Sequence, residues 1–345
     1  MSTTDDRSNQ LQPQQPPKKG PRVMAAIFIL GLTGFLAALF WINWPKPRTR
    51  PEPLSSELTT IIQNMPGNSD AIIYLGLKDI RQSRFWNEAI PDSLKNFSFF
   101  KPDTKIGTLL KKREIDPSRD LDTLLLSFQR SGKKQQKFIG MAWGSIPGKL
   151  PARVLKAASM ETADIAGHRS YALDSTLWVC PLNSRKMVLA SSRRMLEGYF
   201  NPAGKFLERD SVSASLIGRT AYKSHLWFTL ASPLWTTGAL QSLTSTNSDV
   251  KSVGNLNRIQ HLALSLKFGD GLKGHSEWRY ATRSAAFFAS SFLWGTITLS
   301  SGQGTRTSEP AKAFLKRLNV QQNLESVIIT ADIPLSGFKK TINGN

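Results

Sequence analysis

Four histidines and one cysteine are the side chains with which this chain could do nucleophilic or metal chemistry, and their spacing offers little of either. No pair among His168, His225, His261 and His275 has the i, i+4 spacing of a zinc-binding helix. His275 and Glu277 lie two apart on an expected strand and so share a face. They could seed a metal site only with ligands from elsewhere, and the sequence reading favours a solvent-facing pair. Cys180, in "LWVCPL", has the setting of a small buried hydrophobe. As the sole cysteine it allows no intramolecular disulfide and no thiolate cluster. A catalytic thiol would need a basic, partly exposed setting and a histidine partner. "WGSIPGKL" (143–150) follows a strand and precedes a helix, as a phosphate-binding loop does. That loop needs four residues between its glycines and a Ser or Thr after the lysine. Here three residues separate Gly144 from Gly148, Leu150 replaces the hydroxyl and Pro147 removes an amide, so the segment reads as a turn. With no G-x-S-x-G elbow and no H-E-x-x-H helix, the residues supply no catalytic, cofactor-binding or metal set.

Charge is the feature that exceeds a bland expectation. The formal net charge is +20, and no single tail accounts for it. Basic runs recur at Lys111–Lys112–Arg113, Lys133–Lys134, Arg193–Arg194, Lys316–Arg317 and Lys339–Lys340. The functional reading is attraction to an anionic partner: lipid, an envelope polymer or an acidic protein. The bland reading is solvation of the surface. Nucleic acid is disfavoured, since no binding module appears and aromatics do not interleave with a basic strand face. The first half supplies the candidate patch: Lys111, Lys112 and Arg113 are expected to join Lys133, Lys134 and Lys137 on one face, if the loop "FQRSGKKQQKFIG" returns the chain as a hairpin.

Elements must hold such residues, and the first is apolar. "VMAAIFILGLTGFLAALFWINW" (23–44) carries no charge, and at ~1.5 Å per residue it is roughly 33 Å of helix, enough for a ~30 Å hydrocarbon core. Trp41 and Trp44 sit where interfacial rings belong, and Pro45 stops the helix. Bulky Leu36, Leu39, Phe40 and Trp41 around Ala37 and Ala38 argue against signal cleavage. Residues 1–22 read as a disordered basic tail and 45–54, "PKPRTRPEP" and the next residue, as a semi-extended Pro-rich linker holding a domain off the surface. Lys18, Lys19 and Arg22 are matched by Lys46, Arg48 and Arg50, so the basic counts tie. The short basic tail and the linker tip the expectation toward a cell (inner) membrane, single-pass protein with an extracytoplasmic, periplasmic ectodomain.

From Leu54 the pattern turns globular and α+β. Strand–cap–helix units recur at "AIIYLGL" (71–77) with Asp79 as expected N-cap, at 137–143, "KMVLA" (186–190), "HLWFTLA" (225–231) and "SVIITADI" (326–333). Hairpins are expected around "GDG" (269–271) and around Asp174–Ser175. Hairpins mixed with such units predict mixed or antiparallel sheets. "NPAG" (201–204) suggests α+β subdomains at 55–200 and 201–345, as two related halves. "SAAFFASSFLWGTITL" (284–299) is too short and hydroxyl-rich for a second span, and reads as a buried helix running into a strand.

The order "GKLPARVLKAAS", "GHRSYAL", "LWVCPLNSRKMVLASSRRMLEGYF", together with the closing "AKAFLKRLNVQQNLESVIITADIPLSGFKK", resembles bacterial single-span membrane-anchored proteins of uncharacterised function with a repeated strand–helix ectodomain. The resemblance implies architecture and brings no activity with it. The reading is thus a non-catalytic, membrane-anchored binding or scaffold protein with a basic ectodomain. The alternative is a membrane-tethered enzyme acting on an acidic envelope substrate.

Overall fold

The computed structural model describes residues 21–95, 104–131, 135–236, 259–304 and 307–337. The chain divides into two units, Met1–Trp44 and Pro45–Asn345. Among its described residues the first contains one helix, Pro21–Asn43, close to the expected 23–44. Its described side chains begin at Phe28, and Phe28, Leu30, Phe35, Phe40 and Trp41 are exposed, as is Trp44 just beyond it. The Phe40 and Trp44 rings stack with centroids 4.8 Å apart. Among the described residues, no helix is long and apolar enough to cross a membrane. The basic tail expected before this helix lies, up to residue 20, outside the described residues.

The second unit is built on one sheet of twelve strands. In the first half of the chain these are β1 (Ala71–Leu75), β2 (Leu121–Ser131), β3 (Gln135–Gly144), β4 (Glu161–Ile165), β5 (His168–Asp174), β6 (Leu177–Pro181) and β7 (Lys186–Ala190). The second half adds β8 (Leu226–Leu230), β9 (Ile259–Phe268), β10 (Gly271–Tyr280), β11 (Leu318–Asn323) and β12 (Ser326–Pro334). Their order is β11-β12-β10-β9-β8-β1-β2-β3-β7-β6-β5-β4. Every described pairing is antiparallel, which narrows the sequence expectation of mixed or antiparallel pairing. Both expected hairpins form: Gly269 and Asp270 turn β9 into β10, and Ser175 and Thr176 turn β5 into β6.

The order contains one path walked twice. From β1 the ladder runs β1-β2-β3-β7-β6, and from β8 it runs β8-β9-β10-β12-β11. In each, a hairpin follows the first strand, and the last strand of a later hairpin docks on the growing edge. β1 and β8 pair antiparallel about Ile73 and Phe228, so the two paths leave in opposite directions from that seam. The segments 55–200 and 201–345 therefore supply the two halves of a single continuous sheet.

In the first half both faces are covered. One carries Leu58, Ile61 and Ile62 of the Ser56–Gln63 helix and Met195, Leu196 and Tyr199 of the Arg193–Phe200 helix, packed on Leu125, Ile139 and Met141. The other carries Leu110 of the Lys105–Lys112 helix and Val154 and Leu155 of the Ala152–Ala158 helix, packed on Leu121, Ala142 and Val179. Cys180 lies fully within the first of these cores, as expected, and burial pushes its thiol up. The helical stretch after β1 breaks at Ser83, whose hydroxyl caps the Arg84–Ala89 helix. The preceding helix is capped by Gly76, which replaces the expected Asp79.

Two sequence expectations are corrected. Residues 284–299 do not run from helix into strand: Arg283–Ser300 is one continuous helix, capped by Thr282 and continuing through Gly295 and the β-branched residues after it while Ala286, Ala289 and Leu293 pack on the sheet. The Pro-rich linker is extended, yet it is not a free spacer. Lys46 N–H donates to Asn323 Oδ1 and Asn323 Nδ2 donates to the Lys46 carbonyl. Arg48 pairs with Glu277 at 3.2 Å, and Glu52 accepts from Lys267 at 2.6 Å and from the Lys223 backbone at 2.8 Å. These polar contacts strap the segment to the sheet unit.

Candidate functional site

A cleft of about 650 Å³ lies where the Arg193–Phe200 helix starts beside the β2–β3 hairpin. The element geometry follows from a few residues. Ser191 exchanges two hydrogen bonds with Phe138: its amide donates to the Phe138 carbonyl at 2.9 Å, and Phe138 N–H donates to its Oγ at 3.0 Å. That clamp sets the helix start next to Lys137. Farther along, Gly198 faces Pro66, where an added Cβ would sit 2.9 Å from the proline Cβ, so only glycine permits this approach. Gly67 turns the neighbouring loop with φ of 67°, and Gln129 Nε2 donates to the Pro66 carbonyl.

Arg130, Lys137 and Arg194 bring three cations to this cleft, and Glu197 is the one carboxylate on its lining. Glu197 is committed to Arg193, four residues before it, at 2.9 Å. Ser192, the N-cap residue, makes no side-chain cap, and its Oγ is buried without a hydrogen-bond partner. A helix start concentrates unpaired N–H groups and the positive end of the macrodipole, which favours an anion. Beneath it Tyr199 is buried, and burial pushes its phenol up to about 12, so it stays neutral. The arrangement can bind an anionic group. It holds no nucleophile–base pair.

The sequence-predicted patch is not assembled as expected. Lys111 and Lys112 end the Lys105–Lys112 helix and Arg113 is its C-cap, all three exposed, where cations suit the negative helix end. Lys137 is half-buried, and it pairs with Gln129 at the other end of the hairpin from Leu121. Eight residues of strand separate those ends, roughly 26 Å at ~3.3 Å each. Lys137 also alternates with Ile139 and Met141, which face the core opposite to that of the Lys105–Lys112 helix. Lys137 therefore lines the cleft with Arg194, apart from Lys111–Arg113, and Arg130 reaches the same cleft from β2, where it pairs with Gln136. Lys133 and Lys134 lie outside the described residues. Arg194 was missed as a partner of Lys137 because pairing across β3–β7, which sequence alone does not give, brings the following helix beside it, whereas Arg130 lay inside the expected hairpin. The basic pair Arg193–Arg194 after a Ser-Ser helix start was the available signal.

The other candidates resolve into structure. Lys149 donates to Asp120 at 2.7 Å and Ser145 Oγ donates to it at 2.6 Å, so "GSIPGK" closes on itself as a turn. Burial pushes the Asp120 carboxyl up, but these bonds outweigh it and hold the group below its usual value. His275 and Glu277 share a face, as expected, but it is buried: they are 4% and 3% exposed. The solvent-facing reading fails because Arg48, Arg219 and Ser326 close over Glu277. Among the described residues no group of His, Cys, Asp and Glu is arranged to hold a metal ion.

No protein-family model matches the chain, and no curated protein matches it. Among the solved structures that align with it are two crystal forms of TP0453. Crystal form I of TP0453 is 11% identical over 82% of this chain and 96% of that one, with a TM-score of 0.39. Crystal form III is 10% identical over 82% and 98%, with a TM-score of 0.42. At TM-scores below 0.5 these likenesses carry no argument for fold or function.

Proposed function

We propose that the chain is a membrane-anchored, non-catalytic binding protein whose sheet unit takes an anionic group of its partner in the Arg130–Lys137–Arg194 cleft. The observation that carries this reading is the cleft: three cations, an uncapped helix start and a partnerless buried hydroxyl meet there. Anchoring through Pro21–Asn43 is supported by its uncharged run and its exposed aromatic and aliphatic side chains, with Trp41 and Trp44 as interfacial anchors. The partner is an anionic lipid, an envelope polymer or an acidic protein. The sheet unit is extracytoplasmic in this reading, supported by the short basic tail before the helix.

The test uses the full chain in detergent, with inorganic polyphosphate as probe. Polyphosphate should raise the melting temperature at low salt, and the gain should shrink as salt screens it. Lys137→Ala with Arg194→Ala should lose most of that gain. Lys111→Ala with Lys112→Ala and Arg113→Ala should keep it. Equal gains in both variants would sink the cleft as the site. Release of the chain from membranes by a carbonate wash would sink the anchor.

A further inference from the structure

The Arg283–Ser300 helix is built the wrong way round for a soluble surface. Its fully buried residues are small: Ala286, Ala289 and Ser290 pack toward Ile259, Tyr280 and Val327, with the half-buried Leu293 beside them. Its outward residues are large: Phe288 is 62% exposed, Phe292 45%, Trp294 62% and Leu299 75%. Phe288, Phe292 and Leu299 fall on one stripe at spacings of four and seven, while Trp294 lies about 140° round the helix, at the other edge of the exposed arc. Hydroxyls of Ser284, Ser291 and Thr298 lie between them, and no charged residue occurs from Ser284 to Ser300. A surface helix normally carries charge on its outward face. Single exposed apolar residues are ordinary, but an apolar stripe and an exposed indole on an uncharged helix face need a cover.

We propose that this outward face lies in the interfacial layer of an anionic bilayer, the same bilayer that holds the Pro21–Asn43 helix. The proposal rests on the anchored reading above and adds a second, in-plane attachment. Within the sheet unit, Glu325 binds Arg283 at the start of this helix at 3.0 Å, which fixes that end at the β11–β12 turn. Charge selects the cover. Arg279 and Arg283 sit at one end, and exposed Lys316 and Arg317 follow the next helix, Glu309–Leu315. That surround repels a second copy of itself and suits anionic headgroups. The helix is about 27 Å long and rich in hydroxyls, which fits lying at a depth of ~5–10 Å better than crossing.

The experiment labels Phe292→Cys in the full chain with an environment-sensitive nitrobenzoxadiazole group. The protein is reconstituted in vesicles of phosphatidylcholine and phosphatidylglycerol, with the spin label doxyl on lipid chains near the headgroup. The parent chain, whose lone Cys180 is buried, is the labelling blank. Lys273→Cys, exposed at the far end of β10, is the water-facing control. Emission at 292 should be blue-shifted and quenched about twofold by shallow doxyl lipid, with position 273 unaffected. Adding Phe288→Ser, Trp294→Ser and Leu299→Ser should abolish the quenching while the far-ultraviolet dichroism stays unchanged. Water-like, unquenched emission at 292 overturns the proposal, even if the chain resists carbonate and the anchor stands. Blue-shifted but unquenched emission also overturns it, because protein then covers the face. If carbonate releases the chain, the anchor fails alone, and quenching at 292 with added vesicles still decides this helix.

Discussion

Glu277 shows how a residue pair can be placed correctly and its environment read wrongly. Its carboxylate accepts from Arg219 at 2.7 Å, Ser326 Oγ at 2.7 Å and Arg48 at 3.2 Å. Loss of one of these partners leaves the buried carboxylate held by the other two. His275 beside it has a buried Nδ1 with no partner, and burial holds its imidazole below the ordinary value of 6.5, with Glu277 pulling the other way. Burial lowers His225 and His261 as well. In each case the unfolded chain takes up a proton first as pH falls, so stability is lost from about pH 6.5 downward. Thermal unfolding is expected at lower temperature at pH 5 than at pH 7, and His275→Phe should flatten part of that slope. An unchanged slope would show that His275 is not among the groups responsible. The i, i+2 spacing made the shared face legible in the sequence. Its burial was not, because Arg48 arrives from a strap more than two hundred residues away in the chain.

At the scale of elements, the sequence was most legible where local chemistry decides. Gly269–Asp270 and the Asp174 turn announced their hairpins, whereas the caps Thr282 and Ser83 were not anticipated and Asp79 fell inside a first turn. It was least legible where a partner decides. The linker composition says extended, and only Asn323, Glu277 and Lys267 make it a strap. The apolar run at 284–299 says buried, yet the small side chains take the interior and the large ones face outward. The candidate cleft belongs in part to the second kind, since Lys137 and Arg130 lie in the expected hairpin but Arg194 is brought to them by pairing across β3–β7. Gly198 tests the packing that shapes it. Glycine to alanine inside a helix normally gains up to ~1 kcal/mol from propensity. Here the new Cβ would meet the Pro66 ring at 2.9 Å, and overpacking of ~1–3 kcal/mol should outweigh the gain. Gly198→Ala is therefore expected to lower the melting temperature and weaken polyphosphate binding together. A raised melting temperature would show that the 66–67 loop yields freely.

For the whole molecule, the question is whether two related halves behave as one body. Segments 55–200 and 201–345 repeat one strand path, and each packs helices of its own. Yet their first strands, β1 and β8, pair along their full length, and Trp227 of β8 is fully buried in the first half's core, stacked on Tyr74 at 5.6 Å. A seam this apolar should transmit unfolding across it. Cys180 offers a reporter, because a buried thiol reacts only when its surroundings open, and it lies in β6. Ile259 of β9 is buried in the core beneath the Arg283–Ser300 helix, six strand steps away, roughly 29 Å at ~4.8 Å each. Ile259→Ala should cost ~2–5 kcal/mol and touches nothing near Cys180. If the sheet unfolds as a unit, that substitution lowers the urea midpoint for Cys180 labelling by the same amount as the midpoint seen by tryptophan fluorescence. If the halves unfold separately, Cys180 keeps the parent midpoint while fluorescence shows an earlier transition. The continuous β1–β8 ladder, with a large buried indole set into the neighbouring core, leads us to expect the first result.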